Sequence, residues 1–377
     1  MHLSVFMGPL SLGERTDLRQ IELCIDQAIR AADAGFAMVT FGEQHFNGYE
    51  PYSNPFLMGA RLAPHLGETW FGTTIVPLPF HHPFRLAEDS NVLDLLTRGR
   101  FLMGLSAGRV GFSPDFQNFG LDPAERHEIF ASKLGYLTRA QKQKEGDPPI
   151  VLDSKWDRGG LVGRLMPVSW RKGGAQLAVG TNTDETIDEA AARGLPVFLG
   201  PCSPHDAAAK LERHRRGLAA AGLSDAAQTD AARKSLVTRH VFAGDTDEAA
   251  WSTAEALAGR NPMMDRSEDR RSLQELAKVD PASLRDGSEK YPRNVAHVRD
   301  WMLGGSPDSL IEQLRGYAAS GVHQLNIRFT AGVADPVLVE RSFDLFVREV
   351  LPHVGNELFP PLGDDEIDPA HLSGVAA

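Results

Sequence analysis

The sequence predicts an α/β fold: a closed (β/α)8 TIM barrel with two insertions, at about 144–174 and, as a lid, at about 260–306. Three observations carry that expectation. Short apolar runs alternate with amphipathic stretches of about ten to twenty residues, the pattern of parallel strands joined by crossover helices. The alternation supplies eight strands, enough to close a barrel. The rival, an open doubly wound sheet, would usually carry a GxGxxG after its first strand, whereas here Gly8-Pro9 leads straight into a polar loop.

In chain order, the first strand is 3–7. A helix over roughly 17–34 follows, with Leu18, Ile21, Ile25, Ala28, Ile29 and Ala32 at three-and-four spacing and Gly35 as its stop. Then come strand 36–41, helix 55–66, strand 69–76, helix 84–96 closed by Gly99, strand 101–107 and helix 123–142. The Gly-rich excursion that follows contains IVLDSKW and RLMPVSW, which could pair as an extra hairpin. The alternation resumes with strand 176–180, helix 183–193, strand 196–199, helix 204–221, strand 235–243, helices 246–259 and 307–320, strand 324–329 and helix 335–350. Residues 1–360 read as one barrel domain and 361–377 as a disordered acidic tail.

Composition narrows the function classes. A net charge of −11 without basic blocks argues against nucleic acid, and no window approaches the length of a membrane span. MHLSVFMGPLS lacks the regions of a signal peptide, so a cytoplasmic location is expected. Cys24 and Cys202 stand far apart and read as free thiols.

Chemistry-bearing side chains gather just past strand ends, where barrels build their sites. Glu43, Gln44 and His45 follow the second strand directly; the plainer alternative is an internal salt bridge and a satisfied interior histidine. His81 and His82 follow the third strand. Pro83 holds His82 extended and suits the first turn of the next helix, which aims an imidazole or simply makes a capping turn. His45, His81 and His82 show no metal-ligand periodicity, so no metal is expected. Past the fifth strand, Gly180 and Asn182-Thr183-Asp184-Glu185-Thr186 offer hydroxyls and free backbone N–H groups at a helix start, either an anion pocket or an ordinary capping box. Arg109, past the fourth strand, could add the charge that makes this a phosphoryl site.

The passages FGEQHF, SNPFLMGARLA, HHPFRLAEDSNVLDLLTRGRFLMG, PDFQNFGLD, AARGLP and GGSPDSLIEQLRGYAASGVHQLNIRF together resemble the luciferase-like flavin-dependent monooxygenases, relatives of the bacterial luciferase alpha subunit. The resemblance spans nearly the whole chain. It implies FMN, as FMNH2, in the barrel mouth, O2 as co-substrate adding at flavin C4a, and oxygenation of a small organic metabolite by the C4a-hydroperoxyflavin so formed. The cofactor would carry the hard chemistry while the protein holds it and excludes water.

The resemblance implies a candidate catalytic set of His45, His82 and Gln44, and a cofactor-binding set of Glu43, Thr74, Ile75, Ser106, Arg109, Gly180, Asn182, Thr183 and Thr186. Within the second set Arg109, the Asn182 backbone, Thr183 and Thr186 would hold the phosphate. Thr74-Ile75 would form a non-proline cis peptide beneath the flavin ring, and Ser106 would stand near the position of luciferase's active-site cysteine. Gln44 takes the place of the first histidine in the family's Glu-His-His, and a carboxamide is no general base at neutral pH. Acid–base work would then pass to His45, His82 or the substrate, and a metabolite other than a light-emitting aldehyde is expected.

No reductase domain or nicotinamide fingerprint is visible, so a separate NAD(P)H-dependent flavin reductase is the implied partner. A homodimer is implied through helices 55–66 and 84–96, with Phe56, Leu57, Met58, Leu62 and Leu66 as candidate contacts. Two alternatives remain open: an oxidoreductase using the deazaflavin coenzyme F420, and a non-catalytic flavin-binding protein.

Overall fold

Eight parallel strands close on themselves, and residues at their C-terminal ends form the mouth. The computed structural model describes residues 1–11, 13–46, 49–109, 115–202, 204–258, 302–329 and 336–372. Its strands are β1 (His2–Met7), β2 (Met38–Phe41), β3 (Trp70–Pro77), β4 (Phe101–Ser106), β5 (Ile150–Asp153), β6 (Arg158–Leu161), β7 (Gln176–Gly180), β8 (Val197–Leu199), β9 (Leu236–Ala243), β10 (Met302–Gly305) and β11 (Gln324–Arg328). The barrel runs β1-β2-β3-β4-β7-β8-β9-β11 and returns to β1, every pair parallel. The helices are α1 (Asp17–Asp33), α2 (Pro55–Leu62), α3 (Pro83–Leu96), α4 (Asp115–Asn118), α5 (Arg126–Lys142), α6 (Asp184–Ala192), α7 (Pro204–Ala220), α8 (Asp225–Lys234), α9 (Asp247–Ala258), α10 (Pro307–Ala319), α11 (Pro336–Leu345) and α12 (Pro369–Leu372).

Strand alternation sorts the side chains into two cores. Leu3, Val5, Val39, Phe71, Met103, Val179, Val237 and Ile327 face outward into the main cluster beneath the helices. Met38, Trp70, Leu102, Ala178, Phe198 and Leu236 fill the lower interior, where Phe359 packs edge-on to Trp70 at 5.4 Å. Two residues further along the same inward faces the composition turns polar or small: Thr40, Gly104, Gly180 and Asn326. A mostly apolar floor, broken by the buried hydrogen bond from Gln324 Nε2 to Ser4 Oγ at 2.6 Å, lies beneath a small, polar upper layer that opens at the mouth.

Helix starts are chemically marked. Asn54 Oδ1 accepts from Phe56 N (2.9 Å) and Leu57 N (3.2 Å) at the start of α2, and Pro83 opens α3.

Four expectations change. The hairpin partner of β5 is β6, Arg158–Leu161, and not the later RLMPVSW, because a tight turn at 154–157 returns the chain at once. Strand β10 lies within the segment expected to be lid and adds to β9 outside the barrel; 260–301 fall outside the described residues. Helix α8 lies in a stretch left without an element, with Ser224 Oγ accepting from Ala227 N at 3.3 Å. The tail is ordered by contacts through Leu372: Glu366 pairs with Arg171 at 2.7 Å, and His371 stacks on Trp170 at 5.3 Å. Of the five candidate dimer contacts only Leu57 is exposed; Phe56, Met58, Leu62 and Leu66 are buried within the chain.

Candidate functional site

Beyond β2 the chain is pinned before it reaches its first polar side chain. Gly42 N donates to the Tyr52 hydroxyl (3.1 Å), which donates in turn to Met7 O (2.8 Å). A Cβ at Gly42 would overlap the Glu50 carboxylate, so only glycine fits. Glu43 N then donates to Ile75 O at 3.1 Å, tying β2's exit to β3's.

Glu43 is buried, and its Oε1 accepts from two imidazoles: His45 Nε2 at 2.8 Å and His81 Nε2 at 2.7 Å. Burial pushes this carboxyl upward, but the charge of His81 and the hydrogen bonds from His45 and His81 outweigh it and hold Glu43 below the usual carboxylate range. It is an anion at neutral pH. The carboxylate partner assigns the proton of each ring to Nε2, which leaves each Nδ1 as an acceptor or, on protonation, a second donor.

A second carboxyl lies close by with the opposite bias. Glu50 is buried, and burial pushes it up to about 7; Arg328 opposes the rise and Glu43 adds to it. Arg328 Nη2 donates to Gly8 O (2.6 Å), and the guanidinium lies 4.8 Å over the Phe6 ring.

At the end of β3 the Thr74-Ile75 peptide is cis, as the resemblance implied, and pairing with β4 shifts register between Thr73 and Val76. Thr74 Oγ1 donates to Thr40 Oγ1 (2.9 Å), and Thr40 Oγ1 to Asn326 Oδ1 (3.1 Å). Asn326 Nδ2 is buried with no hydrogen-bond partner among the described residues. A Cβ on Gly180 would lie 2.7 Å from Ile75 Cγ2, so Ile75 and Gly180 meet in close contact.

Around His45 stands an aromatic wall. The ring meets Phe119 edge-on at 5.0 Å and Phe80 at 6.1 Å, while Phe80 stacks on Phe119 at 4.7 Å. Phe46, at φ 59°, is 77% exposed beside them.

The anion-type elements form a separate group. Thr183 is the N-cap of α6 but its side chain does not cap; its Oγ1 donates to Thr186 Oγ1 at 3.0 Å, so the capping-box alternative is not realised. Asn182 Oδ1 accepts from Gly200 N (3.2 Å). Ser106 is buried and its Oγ accepts from Gly108 N (3.1 Å), whereas Arg109 is exposed at the edge of the described residues.

The structure therefore joins Glu43 with His45, and Ile75 with Gly180, but it does not bring His82 to Glu43. His82 is exposed at the N-cap of α3, its ring 5.6 Å from Phe84, and His81 makes the contact instead. The signal lay in Pro83. A residue before a helix-opening proline becomes the cap and turns outward, which leaves the one before it to face the site. Gln44 is half-buried between Glu43 and His45. Glu50, Thr40 and Asn326 were missed, since nothing local marks them.

The family model described as luciferase-like monooxygenase matches residues 1–324. The 4-hydroxyprotoasukamycin monooxygenase of Streptomyces nodosus subsp. asukaensis is 29% identical, covering 94% of this chain and 92% of that protein. The alkanal monooxygenase alpha chain of the Kryptophanaron alfredi symbiont is 30% identical over 165 residues, 44% of each chain. Among solved structures, the oxygenating constituent of 3,6-diketocamphane monooxygenase from Pseudomonas putida, in complex with FMN, superposes with a TM-score of 0.69 at 20% identity over 95% of this chain and 100% of that one. An F420-dependent secondary alcohol dehydrogenase reaches a TM-score of 0.69 at 14% identity, covering 94% and 99%.

Proposed function

This chain belongs to the luciferase-like monooxygenase family, and on that premise we propose that it is an FMNH2-dependent monooxygenase acting on a small organic metabolite. The observation that carries the reading is the Glu43 carboxylate shared by His45 and His81 at the barrel mouth. A buried anion that orients two imidazoles is equipment for moving a proton, and a storage protein has no use for it.

The residues present fit a flavin phosphate and ring. Thr183, Thr186 and the uncapped first turn of α6 offer hydroxyl and N–H donors, and Arg109 would supply the charge. Ile75 against Gly180 gives an apolar edge for a flat ring, and Asn326 Nδ2 is a buried donor without an acceptor among the described residues. Reduced FMN, when bound, supplies the electrons with which O2 is activated for transfer of one oxygen atom to the substrate.

The chain's own groups do the rest. Glu43 keeps His45 and His81 in the tautomer whose Nδ1 can take or return a proton. Phe80 and Phe119 pack against the His45 ring and cover part of that edge. Gln44 can orient a substrate by hydrogen bonding but cannot take its proton. His81 replaces His82 in the role first given to the latter.

A separate flavin reductase completes the proposal, supported by the relative described as an oxygenating constituent. A homodimer through α2 and α3 is supported by the exposed Leu57, Val92 and Leu96. Among the described residues no helix is long and apolar enough to cross a membrane.

The structural likeness to an F420-dependent enzyme keeps the deazaflavin reading as the second one. Parallel titrations with FMN, riboflavin and F420 discriminate. Tightest binding of FMN, weakened on removal of its phosphate, is expected; preference for F420 would overturn the assignment.

A further inference from the structure

A buried ammonium lies beneath the turn that delivers His81. Lys133 sits on α5, outside the barrel, and its Nζ donates to His81 O (2.8 Å) and Pro79 O (3.0 Å), with the Asp157 carboxylate at 3.3 Å. Those three oxygens match the three donors of an ammonium. Both side chains are almost fully enclosed, at 6% and 5% exposure.

Asp157 comes from the β5–β6 hairpin. Ser154 Oγ accepts from Asp157 N at 2.9 Å, shaping the turn, while Trp156 Nε1 donates to Glu125 Oε2 at 3.0 Å beside the start of α5. Tyr136, also on α5, accepts through its hydroxyl from Asp153 N at 3.3 Å. The hairpin is thus seated along the helix that carries Lys133.

Packing alone does not call for a lysine here. Burial pushes the Lys133 ammonium down from its ordinary range, against the pull of Asp157, and an apolar side chain would fill the space without that cost. What the ammonium adds is a grip on the carbonyls either side of Phe80. That grip sits on the short turn Leu78–Phe80, which His81 N closes by donating to Leu78 O at 3.1 Å, and His81 leaves it extended, at φ −111° and ψ 147°, with its Nε2 on Glu43.

We propose that Lys133, braced by Asp157, is a positioning residue for His81, so that the 144–174 insertion acts as a strut for the imidazole at the barrel mouth. The functional weight of this rests on the reading of Glu43, His45 and His81 as the acid–base group. His45 serves as an internal control, because it reaches the same oxygen without any contact to Lys133.

The test uses the full chain with 15N-labelled histidine, the His81 signals being assigned with His81→Gln. The double variant Lys133→Met/Asp157→Asn leaves no buried charge unpaired, so a native fold is expected. Its His81 Nε2 proton should lose protection from exchange and its ring should show mixed tautomers, while His45 keeps its wild-type pattern. Asp157→Asn alone, which removes the brace but keeps both carbonyl tethers, should show the same loss of His81 protection to a smaller extent, and an unchanged signal there would overturn the strut role of the insertion. FMN affinity should stay within about twofold throughout, since neither Lys133 nor Asp157 belongs to the residues that would hold the flavin.

An unchanged His81 signal in the folded double variant overturns the proposal. If the double variant does not fold, Lys133→Arg takes its place: the charge opposite Asp157 is kept, but a planar fork cannot meet both carbonyls, and a retained signal again overturns it. Failure of the wild-type chain to bind FMN would sink the functional reading while leaving the strut standing.

Discussion

Replacing Glu43 with glutamine removes one charge from the site while keeping its shape. The carboxylate is buried and its Oε1 alone accepts from two imidazoles, at 2.8 and 2.7 Å. A hydrogen bond to a charged group contributes about 1.5–3 kcal/mol net, and an amide oxygen can still accept, so the charge-dependent part lost is about 2–3 kcal/mol. At 1.36 kcal/mol per factor of ten, that is roughly a 30- to 160-fold loss in the proton-transfer step. FMN affinity should hardly move, because Thr183 and Thr186 lie in a separate group. Stability should show the linkage as well. Because the folded-state pKa of Glu43 is depressed, the wild type gains stability from it above the unfolded pKa, and loses that as pH falls through the folded one. Glu43→Gln should lack this acid limb. Single-turnover kinetics with FMNH2 and urea melts across pH measure both. A folded variant that turns over within about twofold of wild type would refute the reasoning.

Three further outcomes follow from the geometry. His81→Gln should cost about 10²-fold in turnover, as loss of a positioned acid–base group does, whereas His82→Gln, at an exposed cap, should stay within about twofold; steady-state rates decide. The pair Thr183→Ala/Thr186→Val should weaken FMN roughly 10- to 100-fold and leave riboflavin affinity nearly unchanged in parallel titrations, because only a phosphate would use those donors. Glu50 has a folded pKa raised from 4.5 to about 7, so wild-type stability should fall as pH rises between those values and then level; Glu50→Gln should remove that decline, worth on the order of 3 kcal/mol, in melts from pH 4 to 8.

The barrel strands were legible because strands buried on both faces read as continuous apolar runs, as in β4, FLMGLS, and β7, QLAVG. Strand β6, RGGL, has neither an apolar run nor alternation, and its pairing is fixed by the turn at Ser154 and Asp157. β10, MLGG, is buried because β9 runs past the barrel and offers it an edge, and because Ala250, Trp251 and Ala254 of α9 pack beside it. The tail is held by Arg171 and Trp170, partners about two hundred positions away that no local pattern discloses. For the site, Glu43 and His45 followed from position alone, just past β2. The choice between His81 and His82 was legible in Pro83, whereas the tether of the turn before it was not: Lys133, which holds Pro79 O and His81 O, reads in sequence as one more helical surface charge. Glu50 owes its raised pKa to burial and to Glu43, against the pull of Arg328, and burial is a tertiary property that no local pattern discloses.

Rapid mixing of the FMNH2-loaded chain with O2 tests the central claim most directly. The account predicts a transient that absorbs in the violet before oxidised flavin appears, its lifetime changed by Glu43→Gln but not by His82→Gln. Immediate return to oxidised FMN with no transient, in a chain that binds the flavin tightly, would contradict it.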